Sequence, residues 1–173
     1  GPQRIPRPHN AQPGNPPPWA RLSPDERRLT LADVRAAFAH LGPPMRSERE
    51  MVGAIRRPSA VLAPIYDDDR LGHVVLTRRT LHLSSHAGEV SFPGGRVEPG
   101  ETIVDGARRE THEEVGIEPD TVEILGELDH LSTVSSDSFI APYVGALSKR
   151  PVITPSPAEV EAVLLVPLAE LAD

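Results

Sequence analysis

Apolar side chains recur with helical spacing in one stretch near the N-terminus. They stand three or four residues apart, on one face of a predicted helix, at Leu31, Val34, Phe38 and Leu41. Thr30 can cap this helix because Asp33 follows three residues later, as in a capping box. A Gly-Pro-Pro run at 42–44 ends the pattern, so we predict a helix over about residues 31–41.

Other stretches have the apolar runs typical of β-strands. We predict strands at 60–66, 73–77, 122–128, 139–147 and 162–166, with a short strand near 89–92. The polar residues 67–72 form a turn, and 80–100 is otherwise a structured loop. A second helix is expected over Ile103–Val115, because Gly116 follows where a left-handed cap is favoured, and Pro167 begins one more helical stretch. This order of elements predicts an α/β fold in which a mixed sheet packs between helices.

The first 22 residues differ in composition from the rest of the chain. Seven of the 20 prolines fall within the first 18 residues, and aliphatic side chains are almost absent there. Such a segment favours an extended arm over a packed element, with Trp19 available to anchor its end. We therefore expect an arm at 1–22 and a single domain at 23–173.

Charge and composition exclude several classes of function. A net charge of −7 argues against nucleic-acid binding through a broadly basic surface. The chain has no cysteine, which excludes disulfides, thiolate metal sites and a cysteine nucleophile, and fits a cytoplasmic location. No apolar run approaches the roughly 20 residues that span a bilayer, so no membrane partner is predicted. The sequence leaves both a monomer and a homodimer open.

Three carboxylates stand together on the second predicted helix. Glu110, Glu113 and Glu114 lie at i, i+3 and i+4, so the helix places them on one stripe where they repel one another. Hard divalent cations such as Mg²⁺ prefer carboxylate oxygens and relieve that repulsion. Arg109 can also hold a carboxylate through a charge-assisted bond. The alternative interpretation is a solvated acidic face on an amphipathic helix.

The spacing around this stripe resembles the Nudix box. The fixed positions, separated by five, seven, two and one residues, are matched by Gly95, Glu101, Arg109-Glu110, Glu113-Glu114 and Gly116-Ile117. One position is atypical, since Thr111 stands where the box often has an aliphatic residue. The resemblance implies a Nudix α/β/α sandwich and an enzyme that hydrolyses a nucleoside diphosphate linked to another moiety.

The resemblance also implies roles for individual residues. The implied ligands of Mg²⁺ or Mn²⁺ are Glu110, Glu113 and Glu114, with the Gly95 carbonyl as a further one. The implied supporting residues of the catalytic set are Glu101 and Arg109. Family members differ in their general base, and a loop glutamate outside the box sometimes serves, for which Glu159 and Glu161 are the candidates. Both also fit ordinary solvent-facing loop residues.

A second segment resembles the signature of the coenzyme A pyrophosphatase branch of the Nudix family. Its pattern is matched by Leu76, Thr77, Arg79, Gly88 and Phe92–Gly95. Thr80 replaces the usual serine, and Ser84 stands where an arginine is expected. The branch resemblance implies cleavage of coenzyme A or acyl-coenzyme A to 3′,5′-ADP and (acyl-)4′-phosphopantetheine. Because guanidinium groups suit phosphates, Ser84 keeps other substrates open, such as ADP-ribose, NADH or a nucleoside triphosphate.

Five residues are the candidates for contact with this small nucleotide substrate. They are Arg79, Arg78, His86, Phe92 and Arg96. Side chains alternate along a strand, so at most one of the two neighbouring arginines is expected to reach the substrate, and the resemblance favours Arg79. A non-catalytic Nudix module that only binds a ligand is the remaining alternative, although binding alone does not require the full carboxylate set.

Overall fold

The computed structural model describes residue 10 and residues 14–46, 57–81, 88–133 and 138–172. Helix α1 spans Leu31–His40 and begins as predicted, with Thr30 and Asp33 forming a capping box in which the Asp33 carboxylate accepts from the Thr30 N–H at 2.8 Å. Helix α2 spans Ile103–Val115 and ends at Gly116, whose φ of 76° is the predicted left-handed cap. No helix in the described ranges is long and apolar enough to cross a membrane.

The strands agree with the predicted runs, and three of the six predicted strands are longer than expected. Their bounds are Arg57–Asp68 (β1), Leu71–Arg79 (β2), Val90–Ser91 (β3), Gly94–Arg96 (β4), Glu123–Glu127 (β5), Leu131–Thr133 (β6), Ser138–Ala146 (β7) and Val160–Pro167 (β8). Strands β4 and β6 were not predicted, because each is three residues long and lies in a polar or glycine-containing segment. The helical stretch after Pro167 is a 3-10 helix, Leu168–Ala172, and two more 3-10 turns lie at Pro18–Arg21 and Pro119–Thr121.

All eight strands belong to one mixed sheet. Its main order is β3-β2-β1-β7-β5, with β4 beside β1, β6 beside β7 and β8 beside β2. Strands β1 and β7 run parallel over nine paired residues, and the other pairs are antiparallel. The predicted mixed sheet is therefore confirmed.

The long strand β1 changes partner along one edge. Its second half pairs with β2 from Ile65 to Asp68, and its first half pairs with β4 from Ser59 to Val61. The short strand β4 thus occupies the space that β2 leaves when it diverges toward β8. This places a Gly-Gly backbone inside the sheet.

Each face of the sheet carries a helix over its own apolar cluster. The α2 cluster contains Leu62, Val75, Ala107, Val115 and Ile117, and the α1 cluster contains Leu31, Ile65, Val74 and Val144. Thr111 is fully buried beneath α2, and its hydroxyl donates to the Ala107 carbonyl at 2.7 Å. This bond explains how a threonine fills a usually aliphatic position. The α/β/α sandwich is confirmed.

Candidate active site

The site lies where α2 packs against β4. Gly95 comes so close to the helix that a Cβ built on it would stand 2.5 Å from the Glu110 carboxylate. No side chain fits in that space, so the glycine brings the main chain directly against a carboxylate of the helix. The backbone N–H of Gly94 donates to Glu114 Oε2 at 3.2 Å. Two consecutive glycines therefore hold two of the three predicted carboxylates.

The three carboxylates of the stripe differ in exposure. The side chain of Glu114 is 4% exposed, that of Glu110 17% and that of Glu113 56%. The stripe thus runs from the packed interior of α2 to its solvent edge. A ligand arriving from solvent meets Glu113 before it reaches Glu114.

Arg109 is the centre of a hydrogen-bonded network on the solvent side of this stripe. Its guanidinium grips Glu101 with two bonds, from Nε at 3.1 Å and from Nη2 at 2.9 Å. Nη1 donates to both Glu110 and Glu113 at 3.0 Å, and Nη2 also donates to the Arg96 carbonyl at 2.9 Å. This fork fixes the loop before α2 to the helix. The supporting role of Glu101 and Arg109 in catalysis stays a prediction.

Arg79 approaches the stripe from the opposite end. Its Nη1 lies 3.6 Å from Glu114 Oε1, which makes an ion pair with the most buried carboxylate. Arg78 instead pairs with Glu161 at 3.3 Å. Of the two neighbouring arginines, Arg79 is the one that contacts a carboxylate of the stripe. That at most one of them reaches the substrate stays a prediction.

Burial and neighbouring charges give the carboxylates of this site different pKa values. Burial raises the pKa of Glu114 to about 7, although the Gly94 N–H and Arg79 oppose the rise. Burial also raises the pKa of Glu110, against the lowering effect of Arg109. Hydrogen bonds from Arg109 lower the pKa of Glu101. A buried acid of raised pKa next to an arginine-bound acid is typical of a functional site.

The residues fit a hard divalent cation in chemistry, and an arginine contacts one oxygen of each carboxylate in the stripe. Among the described residues, no three acidic or histidine side chains converge in a ready metal cluster. Arg109 contacts Glu110 and Glu113, while Arg79 and Gly94 contact the two oxygens of Glu114. Carboxylate oxygens beside a close-approaching backbone are the donors that Mg²⁺ and Mn²⁺ prefer.

The loop before β8 brings one of the two loop glutamates close to the stripe. The N–H of Ser156 donates to the Glu114 carbonyl, and that of Thr154 donates to the Val115 carbonyl, both at 2.9 Å. The charge of Glu159, in this same loop, contributes to the raised pKa of both Glu110 and Glu114. Glu161, which was expected in the same loop, lies in strand β8, because that strand begins two residues earlier than predicted, and it pairs with Arg78.

The remaining substrate candidates are distributed unevenly. Phe92 packs against the apolar cluster beneath α1, so its side chain has a place in the core. The Arg96 side chain is exposed beside the Arg109 network. His86 and Ser84 lie outside the described residues. The structure therefore brings Arg79 to the carboxylates and keeps Arg96 at their solvent edge.

Sequence reasoning did not assign a structural role to Thr80. This buried residue ties the end of β2 to the loop that carries Glu159, with its N–H donating to the Glu159 carbonyl at 3.0 Å. Its hydroxyl donates to the Ala158 carbonyl at 3.4 Å. The signal for this role was the hydroxyl side chain that the branch pattern has at this position, where Thr80 replaces the usual serine.

Comparison with known proteins assigns the chain to a family. A model of the NUDIX domain matches residues 56–173. Nudix hydrolase 3 from Caenorhabditis elegans is 43% identical over 150 residues, which cover 85% of this chain and 61% of the worm protein. Uncharacterized Nudix hydrolase NudL from Escherichia coli O7:K1 is 39% identical over 145 residues, which cover 83% of this chain and 72% of that protein.

A solved structure supports the same fold. The crystal structure of the Nudix hydrolase RenU from M. smegmatis matches with a TM-score of 0.57 and 17% identity, covering 65% of this chain and 71% of that one. The chain spans less than two thirds of the worm relative. With the domain match, the two relatives and the carboxylate helix in agreement, the chain belongs to the Nudix hydrolase family.

Proposed function

We propose that this protein is a pyrophosphohydrolase that uses Mg²⁺ or Mn²⁺ to cleave the diphosphate of coenzyme A or its thioesters. The products would be 3′,5′-ADP and (acyl-)4′-phosphopantetheine. One observation carries the proposal: the carboxylates Glu110, Glu113 and Glu114 lie on one stripe of α2 that the Gly94-Gly95 backbone approaches directly. Nudix hydrolases generally use divalent metals, and this donor set suits them.

The protein residues supply position and charge. Glu110, Glu113, Glu114 and the Gly95 carbonyl would hold the cation, which when bound neutralises the diphosphate oxygens and acidifies a water. Arg109 and Glu101 keep the ligand carboxylates oriented through the bidentate fork. Such outer contacts typically change metal affinity or activity by about 10- to 100-fold when removed. Little covalent work remains for the protein in a phosphoryl transfer of this kind.

Glu159 is the stronger candidate for the general base outside the box. Its loop is bonded to the last turn of α2, and its charge acts on Glu110 and Glu114. In this role the Glu159 carboxylate would accept a proton from the attacking water. Glu161 is the weaker candidate because its carboxylate is paired with Arg78.

The choice of coenzyme A rests on the branch signature together with Arg79. A guanidinium beside the carboxylate stripe suits a phosphate group through bidentate bonding. The departure at Ser84 favours a second candidate class, the other nucleoside diphosphate derivatives such as ADP-ribose, NADH or a nucleoside triphosphate. Arg96 is an exposed cation at the edge of the site that could contact the phosphates of either class.

The deciding experiment is a substrate panel analysed by anion-exchange chromatography. Purified protein with Mn²⁺ or Mg²⁺ is incubated with coenzyme A, acetyl-coenzyme A, ADP-ribose, NADH and ATP. Release of 3′,5′-ADP from the first two, at the highest rate of the panel, is the expected result. Faster cleavage of another compound would replace the substrate but keep the enzyme class.

The Glu113→Gln variant tests whether the protein is an enzyme at all. Because Glu113 is half exposed and its contact is with Arg109, the variant should fold normally while losing at least about a hundredfold in kcat. Circular dichroism and the same chromatographic assay check both expectations. A panel in which the wild type cleaves nothing but binds one compound would instead identify a non-catalytic binding module.

A further inference from the structure

The Glu114 carboxylate has both of its oxygens engaged by the protein itself. Oε2 accepts from the Gly94 N–H at 3.2 Å, and Oε1 faces Arg79 Nη1 at 3.6 Å. The side chain is 4% exposed, so solvent contributes little to balancing its charge. The counter-charge is therefore the guanidinium of Arg79.

A cation that takes Glu114 as a ligand meets the positive charge of Arg79 beside the same carboxylate, and like charges repel. The Gly94 bond comes from rigid backbone within β4, so Oε2 keeps this hydrogen bond. Oε1 is the oxygen that is available for exchange, because its partner is a long side chain. At 3.6 Å the pair is also longer than a close charge-assisted hydrogen bond, unlike the 2.9 to 3.1 Å bonds between Arg109 and Glu101.

The backbone of Arg79 is fixed while its guanidinium is less constrained. The Arg79 N–H donates to the Glu89 carbonyl at 3.0 Å, and its carbonyl accepts from Gly88 at 3.1 Å. At the other end, Nε is buried and has no hydrogen-bond partner among the described residues. A guanidinium with a spare buried donor is suited to an anionic ligand as well as to Glu114.

We propose that Arg79 is a positioning residue. In the metal-free protein its guanidinium pairs with Glu114, and when a divalent cation binds, the guanidinium leaves Glu114 and pairs with the substrate's phosphate. This inference rests on the proposed function. Cation and arginine compete for one carboxylate oxygen, and the arginine that is released becomes a phosphate ligand. Metal loading thereby prepares the substrate site through a residue that does not itself hold the metal.

Metal binding without substrate tests the exchange. Mn²⁺ is titrated into the wild type, Arg79→Gln and Arg79→Lys, and free Mn²⁺ is followed by electron paramagnetic resonance. Arg79→Gln should bind Mn²⁺ about three- to tenfold more tightly than the wild type, because the competitor for Oε1 is gone. Arg79→Lys keeps a charge at this position, so its Mn²⁺ affinity should lie between those of the wild type and Arg79→Gln.

A matched charge control comes from the other face of the sheet. Arg35 on α1 pairs with Glu123 at 2.6 Å, and Arg35→Gln removes the same charge at a distance from the stripe. It should leave the Mn²⁺ affinity unchanged. Equal affinities in the wild type and Arg79→Gln, or weaker binding in the variant, would overturn the proposal, as would an equal gain in Arg35→Gln.

A measurement on the wild type covers the case in which Arg79→Gln does not fold. In nitrogen NMR of arginine-labelled protein, with the Arg79 signal assigned from Arg79→Lys, Mg²⁺ should shift the Arg79 guanidinium resonances and leave those of Arg35 in place. Unmoved Arg79 resonances at saturating Mg²⁺ would contradict the exchange. Failure of the proposed function looks different, since it is an absence of nucleotide cleavage by the wild type whatever the metal affinities are.

Discussion

Two arginines bind the same carboxylate stripe in very different ways. Arg109 makes five hydrogen bonds, all with residues of the Nudix box or the loop inside it. Arg79 reaches the stripe from the end of strand β2 through a single 3.6 Å contact. The first network is local and dense, and the second is long-range and sparse and ends on the most buried carboxylate of the stripe. The difference indicates that one network holds the site together and the other can be exchanged.

The largest expected effect comes from breaking the dense network. Arg109→Gln should lower kcat by about a hundredfold and the free energy of unfolding by about 3 kcal/mol, because Glu101 and Glu110 lose their counter-charge. Chemical denaturation and the chromatographic assay measure the two effects. Arg79→Gln is the matched comparison, and it should lose less stability than Arg109→Gln. An equal loss in the two variants would mean that both networks are structural.

The next effect is a pH dependence that comes mainly from the buried end of the stripe, with Glu110, whose pKa burial also raises, acting in the same direction. The pKa of Glu114 is raised to about 7 from its ordinary value near 4.5. Between these values the folded protein keeps a proton that the unfolded chain has released. Unfolding then releases a proton, so the free energy of unfolding falls as the pH rises through this window. The pKa of Glu101 is lowered, so its titration changes the free energy of unfolding only below this pH window.

Metal-free protein should therefore gain stability on acidification from pH 7 to pH 5. Over this window the contribution of Glu114 is about 2 kcal/mol, because at pH 7 about half of the folded molecules already hold the proton. Urea unfolding in chelator at pH 5, 6 and 7 measures it, with Glu114→Gln as the control that cannot titrate. Parallel curves for the wild type and Glu114→Gln would contradict the raised pKa.

The same contrast explains what the sequence could predict. The Arg109 network depends on spacings within one loop and helix, so the stripe, the cap at Gly116 and the supporting pair Glu101–Arg109 followed from local periodicity and the box. Helix α1 and the longer strands followed from apolar patterns for the same reason. Strand β4 was interpreted as loop, because a Gly-Gly-Arg segment has no apolar pattern and is a strand only through its pairing with β1.

The contacts that cross between elements could not be read from local patterns. The ion pair between Arg79 and Glu114, and the core position of Phe92, depend on how β2 diverges from β1 and on which face each residue occupies. Arg79 and Phe92 both match the signature of the coenzyme A pyrophosphatase branch, so the sequence gives them equal weight as substrate candidates. The fold separates them, placing the arginine at the carboxylates and the phenylalanine beneath α1.

The smallest expected effect tests how firmly the loop carrying Glu159 is held at the sparse end of the site. Thr80→Val removes the hydroxyl bond to the Ala158 carbonyl, and Thr80→Ser keeps it. The valine variant should lose about 1 kcal/mol of stability, while the serine variant should lose clearly less. If Glu159 accepts the proton, kcat should also fall a few-fold in Thr80→Val with KM unchanged. Because the backbone bond from Thr80 to Glu159 survives in both variants, a large loss of activity in Thr80→Ser would instead place Thr80 in contact with the substrate.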